Sequence, residues 1–568
     1  MRGPRSRADR AGRHAHRPMP PGRPVPCRGR LESCRSEENL MSSARLRAVA
    51  AVLCLALAGC GGAGASGAQD DVFVVAITKQ PPHLMRMFLG DATVGLVGLA
   101  ISESLVSVNR KREVEPQLAK SWEQPDDKTY RFHLVPDVTW HDGKPFTSAD
   151  VVFSLTEALG VNPSTASLKA MIDSVQAVDD LTVDVVLKSP SGAFLAMLNP
   201  MNVSIVPKHV YEGGDLMSNP ANRAPVGTGP YKFESWEGNQ ITLVRNDAYW
   251  DGKPAIPTVV FTVSADANAR ALALKNGDID YINSFDLPYE ALRQLQNADG
   301  VALDTGRAST SMQQLQFNTR NPVLAKPAVR KALFSAIDRE FISKTVFGGL
   351  SPAGTAALPS DHWANSGEVD YMKEFPFDAA KAGAALDAAG YPKNASGTRF
   401  PMTLRYDTSV PGSERTAEVI ADNWRSAGID AKVMADEREV FSDAVYAKHE
   451  FDAFIINIAS GADPAIGLYR RYTCDNGQNA VFGNASGYCN KALDEIFAKA
   501  NASNDRAERT RLYADAQRVI ADDLPVATTI QVQYTDAIRS EFGGREGFLS
   551  RGEVVMLDWN ALTAGAQK

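Results

Sequence analysis

The stretch of residues 225–250, PVGTGPYKFESWEGNQITLVRNDAYW, constrains the fold more than any other part of the sequence. Its Gly-Thr-Gly-Pro sequence at residues 227–230 combines two glycines, which permit unusual backbone angles, with a proline that fixes the exit. The apolar residues that follow predict two strands, joined by a hairpin turn at residues 237–239. The pattern predicts a flexible crossing and a rigid hairpin, as a chain needs where it passes from one lobe to another. An ordinary surface hairpin is the simpler alternative.

The N-terminal part of the sequence predicts an export signal. Residues 1–40 are rich in Arg and Pro and lack apolar periodicity, which is typical of disorder. A second methionine, Met41, is followed by Arg45, Arg47 and an apolar run at residues 48–58 that is shorter than the ~20 residues of a membrane-spanning helix. We interpret residues 41–59 as a lipoprotein signal peptide and expect translation to start at Met41. Residues 1–40 are then untranslated or, if made, disordered.

A Leu-Ala-Gly-Cys sequence at residues 57–60 closely resembles the lipobox of bacterial lipoproteins. Small residues before the cysteine suit the signal peptidase, and the Cys60 thiol would accept a diacylglycerol. Residues 60–71 are rich in Gly, Ala and Ser and predict a flexible tether. We expect a periplasmic, extracytoplasmic protein that is lipid-anchored to the membrane. A plain secretory peptide with a chance cysteine is the alternative.

Removal of residues 1–59 leaves a clearly acidic chain. That segment carries 12 Arg and 4 acidic residues, so the formal net charge changes from −7 to −15. An acidic protein is a poor nucleic-acid binder because it repels the phosphate backbone. The remaining length of about 509 residues exceeds that of one hydrophobic core and predicts two or more lobes.

Cysteine usage agrees with export. Cys27, Cys34 and Cys54 precede the expected cleavage site, and Cys474 and Cys489 are the two that remain after acylation of the lipobox cysteine. An even pair in an oxidising compartment predicts a disulfide, and two free thiols are the alternative. No CxxC motif or nearby histidine set accompanies the pair, so we expect no metal site.

The sequence contains none of the catalytic motifs that we sought. GxSxG, HExxH and P-loop patterns are missing, and the eight histidines are scattered. His141-Asp142 resembles part of a catalytic pair, but no nucleophile accompanies it, and a histidine beside a turn aspartate is more often structural. We expect a binding protein without a cofactor rather than an enzyme.

Seven sequence blocks occur in order along the chain. They are PQLAKSW at 116–122, YRFHL at 130–134, WHDGKPFTSADV at 140–151, the Gly-Thr-Gly-Pro block at 227–250, LQFNT to AIDR at 315–339, FD to AAGY at 377–391, and YCN to LD at 488–494. In this order they resemble the family 5 extracellular solute-binding proteins, the oligopeptide-, dipeptide- and nickel-binding components of ABC importers. The resemblance covers residues 72–560.

The resemblance implies an α/β protein with the two-lobed periplasmic-binding-protein fold, type II, enlarged by an extra small domain. It assigns residues 72–105, 228–306 and 527–568 to the first lobe, residues 106–227 to the small domain and residues 307–526 to the second lobe. We expect the lobes to close on a solute by rotation at the chain crossings, for which residues 227–230 and 304–306 are the candidates. The implied partners are a small-molecule or peptide ligand and ABC permease subunits, and a monomer would suffice.

The resemblance also indicates where a ligand would lie. In peptide-binding relatives, an aspartate shortly before an acidic residue–proline pair holds the ammonium group of the peptide. Counting back from Asp463-Pro464 places Ser460 at that position, and a hydroxyl group cannot neutralise a buried ammonium ion. Asp463 would take its place only if the loop is shifted.

Other polar side chains are candidates by their position. Arg470, Arg471 and Tyr472 would meet a carboxylate or a sugar, although Arg470-Arg471 also fits a solvated helix face. The predicted ligand-binding residues are Gln80, His83, Gln316, Asn318, Asn457, Ser460, Asp463, Arg470 and Tyr472.

Two alternatives to a peptide importer follow from the same residues. One is a binder of a non-peptide solute, such as an opine, an oligosaccharide or a nickel chelate. The other is a periplasmic chaperone or sensory lipoprotein that uses the same clamp without transport.

Overall fold

Two mixed β-sheets carry the fold of the computed structural model, which describes residues 71–307, 311–475, 481–552 and 555–565. The described residues belong to one unit, Ser66–Lys568. The predicted untranslated segment, the signal peptide, Cys60 and all but the last residue of the tether lie outside the described residues.

The strands, numbered in chain order, are β1 (Val72–Ile77), β2 (Val106–Val108), β3 (Val114–Pro116), β4 (Ala119–Glu123), β5 (Thr129–Leu134), β6 (Ile172–Asp179), β7 (Thr182–Leu187), β8 (Tyr231–Glu237), β9 (Gln240–Arg245), β10 (Thr258–Val263), β11 (Tyr281–Ile282), β12 (Val301–Arg307), β13 (Ser311–Phe317), β14 (Pro401–Asp407), β15 (Asp430–Asp436), β16 (Ala453–Ala459), β17 (Val526–Gln531) and β18 (Tyr534–Arg539). The α-helices are α1 (Ala92–Gly98), α2 (Ser148–Phe153), α3 (Ala166–Met171), α4 (Phe194–Met197), α5 (Lys208–Tyr211), α6 (Ala267–Asn276), α7 (Tyr289–Leu295), α8 (Pro327–Ser335), α9 (Arg339–Thr345), α10 (Tyr371–Glu374), α11 (Ala379–Ala388), α12 (Ser413–Ser426), α13 (Arg438–Ser442), α14 (Pro464–Gly467), α15 (Lys491–Ala502), α16 (Arg506–Asp523) and α17 (Arg545–Phe548). None of the helices in the described ranges is both long enough and apolar enough to cross a membrane.

The first sheet has the strand order β12-β18-β11-β1-β10-β9-β8. Its strand β1 is the apolar sequence VFVVAI, and it pairs in parallel with both β10 and β11. Phe73, Val75 and Ile77 pack into one apolar cluster, while Ala76 packs on the other face against residues of α6 and α7. A strand that is covered on both faces needs the continuous apolar sequence that β1 has.

The second sheet has the order β15-β14-β16-β13-β17. Strand β13 is buried along its whole length and pairs antiparallel with β16 and with β17. Because β17 takes its hydrogen bonds from β13, the chain returns to the first sheet only at Tyr534, where β18 begins. The prediction that the chain re-enters the first lobe at residue 527 is therefore wrong, because residues 526–531 form a strand of the second sheet. We call the parts built on these two sheets the first lobe and the second lobe.

The chain passes between the two sheets twice, from β12 to β13 and from β17 to β18. Strand β12 pairs with β18 and β13 pairs with β17, so the two crossings lie side by side. The predicted crossing at residues 304–306 lies in β12, just before the first of them. The predicted crossing at residues 227–230 is wrong, because this segment leads into β8, the edge strand of the first sheet.

A four-stranded antiparallel sheet, β4-β5-β7-β6, lies in the segment predicted to form the small domain. Its apolar side chains share a core with helix α2 and with the Trp-His-Asp-Gly block that precedes this helix. Trp140 of that block is buried and donates its Nε1–H to Asp150, the acidic residue of the capping box that starts α2. We refer to residues 106–227 as the small domain.

Residues 227–230 make a close contact rather than a flexible one. The N–H of Gly229 donates to the carbonyl of Ile101 at 2.9 Å, and a Cβ atom on Gly227 would overlap the same carbonyl oxygen. The N–H of Gly227 donates to Nδ1 of His141 at 3.2 Å, so Nε2 of this ring carries the proton that it donates to the Gly229 carbonyl at 3.0 Å. Burial lowers the pKa of His141 to about 4, which keeps the ring neutral. The histidine thus holds the backbone of the block.

A buried carboxylate anchors the end of the same stretch. Tyr249 donates its hydroxyl to Oε1 of Glu103 at 2.8 Å, and Trp250 donates its Nε1–H to Oε2 at 2.9 Å. Glu103 is 1% exposed, and burial raises its pKa to about 7. The two aromatic residues after the hairpin are therefore tied to the segment that follows α1.

Cys474 and Cys489 form a disulfide in the second lobe. Helix α15 begins directly after it, where the side chain of Asn490 accepts hydrogen bonds from the backbone of Ala492 and Leu493. Tyr488 donates its hydroxyl to Asp523 at 2.5 Å, at the end of α16. The disulfide loop is therefore fixed to both long helices of this lobe.

Replacing Gly227 with alanine is expected to destabilise the protein by about 1–3 kcal/mol or more, because the new methyl group meets the Ile101 carbonyl and the backbone has to move. Gly214→Ala is the matched control, since the nearest atom to its Cβ position, the Tyr211 carbonyl oxygen, lies 3.9 Å away. Urea denaturation gives the free energy of unfolding of both variants. Equal stabilities would contradict the close contact at residue 227.

The raised pKa of Glu103 predicts a pH dependence of stability. Its folded-state pKa of about 7 lies above the ordinary value of 4.5, so its contribution is present below about pH 4.5 and is lost as the pH rises through 7. The loss is on the order of 3 kcal/mol. Glu103→Gln cannot ionise, so the wild type should lose stability relative to this variant between about pH 4.5 and 8. A stability difference that does not change with pH would contradict the assignment.

Candidate functional site

A large cavity lies between the small domain and the second lobe. Its volume is about 800 Å³, within the roughly 300–1,000 Å³ that is typical of small-molecule sites. One wall comes from residues 164–202 of the small domain. The other wall comes from residues 465–502, which run from α14 to the end of α15.

The charged groups on the cavity wall are cations. Lys188 and Arg470 are the charged side chains among the described lining residues, and the hydroxyl and amide groups of Ser191, Asn202 and Asn501 accompany them. Burial lowers the pKa of Arg470 from its usual value, but a guanidinium group stays charged in proteins. No group of three His, Cys, Asp or Glu residues in the described ranges is arranged to hold a metal ion. The wall suits a solute with a carboxylate.

Helix α14, at the edge of the cavity, starts at a buried aspartate. Oδ1 of Asp463 accepts a hydrogen bond from the backbone N–H of Ala465 at 3.0 Å and an ion pair from Nη2 of Arg509 at 2.6 Å. Both charged side chains are 3% exposed. The expectation that Asp463 takes over the ammonium of a peptide is corrected, because Arg509 already neutralises its charge.

Arg509 also connects the second lobe with the small domain. Its Nη1 donates to the carbonyl of Gly192 at 2.8 Å, and its Nε donates to the carbonyl of Ala500 at 3.0 Å. The N–H of Gly192 donates to the carbonyl of Asn501 at 3.1 Å. These bonds join the two cavity walls, because Ser191 and Asn501 both line the cavity.

The loop of residues 460–463, which holds the position that resembles the ammonium anchor, is enclosed by a second contact between the same two parts. Ala462 packs against Val108 and Ala196 of the small domain. Ser460 is fully buried, and its carbonyl oxygen lies 2.6 Å from the position that a Cβ atom on Gly467 would take. The position that resembles the peptide anchor is therefore covered by protein.

Three predicted residues lie in or directly after strands of the second sheet and do not line the cavity. Gln316 on β13 is buried, and Asn457 on β16 is partly buried. Asn318 donates its amide to the carbonyls of His449 and Phe451, at 3.2 and 2.9 Å. Asn318 thus fixes the segment before β16, which is a structural role.

The two predicted residues of the first lobe lie away from the cavity. Gln80 is exposed and donates its amide to the Gly238 carbonyl of the β8–β9 turn at 2.8 Å. His83 is partly buried, and burial lowers its pKa. Neither residue belongs to the cavity wall described above.

The three residues Arg470, Arg471 and Tyr472 point to different surroundings. Arg470 lines the cavity, whereas Arg471 and Tyr472 are fully buried. The alternative that Arg470 and Arg471 form a solvated helix face is therefore wrong. Tyr472 does not line the cavity. Residues Tyr469–Arg471 form a single 3₁₀ turn, in which three successive side chains point in three directions.

Sequence reasoning missed most of the cavity wall. Lys188, Ser191 and Asn202 of the small domain carry no recognisable motif, and Tyr469 and Asn501 are separated from them by more than 250 residues. The cavity arises only when the small domain packs on the second lobe. Arg470 is the one predicted ligand-binding residue that lines the cavity, and it neighbours Tyr469.

Comparison with known protein families matches residues 113–479 to the bacterial extracellular solute-binding proteins, family 5, middle. The match covers more than half of the chain. It includes the whole small-domain wall of the cavity and the first part of the opposite wall.

The chain is similar to proteins that are named for binding dipeptides and glutathione. The chain is 28% identical over 456 residues to the dipeptide-binding protein of Escherichia coli (strain K12), which covers 76% of this chain and 83% of that protein. It is also 28% identical over 468 residues to the glutathione-binding protein GsiB of Pectobacterium atrosepticum, which covers 80% of this chain and 87% of the relative.

Solved structures share the fold. The ABC transporter substrate-binding protein CtaP of Listeria monocytogenes superposes with a TM-score of 0.77 at 25% identity, covering 87% of this chain and 99% of that one. NikZ of Campylobacter jejuni, solved in complex with Ni(L-His), superposes with a TM-score of 0.70 at 25% identity, covering 85% and 96%.

Replacing Asp463 with alanine is expected to lower the free energy of unfolding by about 3–5 kcal/mol, because it leaves the buried Arg509 without its partner charge. Asp515→Ala is the control. Asp515 pairs with Arg511 on the exposed face of α16, so its loss should cost less than about 0.5 kcal/mol. Chemical denaturation measures both changes. A similar small loss for the two variants would contradict the role given to Asp463.

Proposed function

The chain belongs to the bacterial extracellular solute-binding proteins of family 5, and on this basis we propose that it is the solute-binding component of an ABC importer for a peptide or related small organic solute that carries a carboxylate. The observation that carries this solute class is the sign of charge on the cavity wall, because the charged side chains among its described lining residues, Lys188 and Arg470, are both cations. Hydrogen bonds to charged groups contribute about 1.5–3 kcal/mol, enough to select an acidic solute.

The relatives support a peptide as the solute. Dipeptides and glutathione, which two of the relatives are named for binding, both carry carboxylates and amide groups. Cationic side chains would hold the carboxylate. The hydroxyl and amide groups of Ser191, Asn202 and Asn501 would hydrogen-bond to the peptide amides.

The lack of an ammonium anchor favours a second class of solute, the opines. In an opine the amine nitrogen carries a second substituent that bears a carboxylate. Ser460 stands where peptide-binding relatives place an aspartate, and Asp463 is neutralised by Arg509. The described cavity wall therefore offers an ammonium group no negative charge. In an opine the second carboxylate balances the amine, so a cationic wall suffices.

We infer that the solute stabilises a closed arrangement of the two lobes. The hydrogen bond from Arg509 to Gly192 and the ion pair of Arg112 with Asp361, at 3.4 Å, hold the small domain against the second lobe. A solute in the cavity would add contacts to both walls and so favour this arrangement. The paired crossings between the sheets would serve as the hinge. The closed form would then dock on the permease subunits.

We also propose that the mature protein is extracytoplasmic, lipid-anchored at Cys60 and monomeric, and that it binds its solute without catalysis. The lipobox-like sequence supports export and the anchor, and the missing catalytic motifs support binding without catalysis. Mass spectrometry of the N-terminal peptide of the membrane fraction tests the anchor. An unmodified cysteine there would exclude it.

A ligand screen tests the proposed function directly. The mature protein, from Gly61 on, is tested in thermal unfolding with dipeptides, glutathione, opines, oligosaccharides and nickel chelates. A ligand at about 100 times its Kd adds about 2.7 kcal/mol of stability. Shifts with peptides support the first candidate, and shifts with opines alone support the second. Shifts with neutral sugars alone, or with no compound, would contradict a carboxylate-binding site.

Replacing Arg470 with glutamine is expected to weaken the binding of a carboxylate solute by about tenfold to a hundredfold, because a charged hydrogen bond is lost. Calorimetric titration measures Kd. The same solute as its carboxamide should bind the wild type and the variant with equal affinity. Arg415→Gln, an exposed arginine on α12, is the control that should leave Kd unchanged. An equal loss for acid and amide would contradict a contact between Arg470 and the carboxylate.

A further inference from the structure

Apolar side chains from both walls line the cavity between the small domain and the second lobe. The small-domain wall contributes Met171, the last residue of α3, and Met197, the last residue of α4. The opposite wall contributes Ile466 of α14, Tyr469 and Val481. Each of these five residues keeps part of its surface exposed, so a solute in the cavity can contact them.

Two of these side chains take no part in the protein core. Ile466 and Val481 belong to none of the apolar clusters that the described residues form, and Val481 is 51% exposed. A single exposed apolar residue needs no explanation, but these two line the same cavity and stand on the wall that faces two methionines. Removing apolar surface from water is favourable. An apolar group of a solute would therefore be stabilised here.

The two methionines make the small-domain wall adaptable. Met171 and Met197 both pack against the apolar core of the small domain. A methionine side chain is unbranched and has three rotatable bonds, so it fits surfaces of different shapes. Aliphatic and aromatic groups of a solute would therefore be accepted with similar affinity.

Each wall places a cation beside its apolar residues. Nζ of Lys188 donates to the carbonyl of Ala170 at 2.7 Å, and Met171 is the next residue of the chain. Arg470 directly follows Tyr469, and both line the cavity. A carboxylate at either cation would bring the rest of a small solute close to apolar side chains. A basic side group would instead add positive charge to a cationic wall, which is unfavourable.

We propose that the cavity selects solutes that combine a carboxylate with a large apolar side group, aliphatic or aromatic, and that it discriminates against small and basic side groups. The proposal rests on the function proposed above, because it adds a second requirement to the same solute. Full burial of a group of the size of leucine or phenylalanine strengthens binding by about tenfold to a hundredfold. The apolar contacts therefore decide between solutes that share the carboxylate.

Calorimetric titration of the mature protein with two short series of compounds tests the proposal. One series is the dipeptides Ala-Gly, Ala-Leu, Ala-Phe and Ala-Lys, and the other is the opine-type N-carboxyethyl derivatives of glycine, leucine, phenylalanine and lysine. In the series that binds, the leucine and phenylalanine members should bind about tenfold to a hundredfold more tightly than the glycine member. The lysine member should gain nothing over glycine. Equal Kd values across the series, or a preference for lysine, would overturn the proposal.

A conservative variant of the wall tests the contact itself. Val481→Thr keeps the shape of the side chain but replaces a methyl group with a hydroxyl, so the phenylalanine member should bind about fourfold more weakly and the glycine member should be unaffected. Val440→Thr is the matched control, because Val440 is 56% exposed on α13 of the second lobe and does not line the cavity. An equal effect of Val481→Thr on both members would overturn the apolar contact.

A fluorescent dye provides a test that needs no carboxylate solute. 8-Anilino-1-naphthalenesulfonate is an aromatic anion that binds apolar surface, and it should bind the wild-type protein. Met197→Gln should weaken this binding at least about fourfold, whereas Met217→Gln should not, because Met217 is a 51% exposed residue of the small domain outside the cavity wall. Equal dye affinity of the two variants, or no dye binding, would overturn the proposal. A loss confined to Met197→Gln together with a negative solute screen would support the apolar wall and contradict the proposed function.

Discussion

The ion pair between Asp463 and Arg509 is the interaction on which the candidate site depends. The aspartate starts α14 at the end of the loop that follows β16, and the arginine reaches from α16 to the backbone of Gly192 in the small domain. Both cavity walls are therefore positioned by two side chains. Because each charge is buried, each is stable only in the presence of the other. The same pair that shapes the cavity also removes the carboxylate that would bind an ammonium group.

Local charge in this molecule opposes its net charge. The chain carries an excess of acidic residues, yet its cavity is lined by Lys188 and Arg470, and Arg471 is enclosed in the core. Groups inside a low-dielectric wall act on a ligand much more strongly than distant surface charges in water do. The acidic composition, which argues against nucleic acid as a partner, is thus compatible with a site for an acidic solute.

The sequence predicted what short-range patterns determine. The β8–β9 hairpin is where its sequence predicts it, with the turn at residues 237–239, in which Gly238 adopts a positive φ of 53°. Resemblance of the ordered blocks predicted the two-lobed fold. The sheet of β17, the position of residues 227–230 and the burial of Arg471 were predicted wrongly. The sheet of β17 and the contacts of residues 227–230 depend on partners more than 100 residues away, in β13 and at Ile101, which no local pattern encodes.

The position of β18 has a consequence for the way in which the chain is made. This strand lies between β12 and β11 in the first sheet, so the sheet is split until residues 534–539 are available. A nascent chain that has been synthesised up to β17 can complete its second sheet but not its first. The first lobe therefore acquires its cooperative stability only at the end of synthesis, and long-range pairing of this kind is slow. Until then β12, which pairs with β18, has no neighbouring strand in the first sheet.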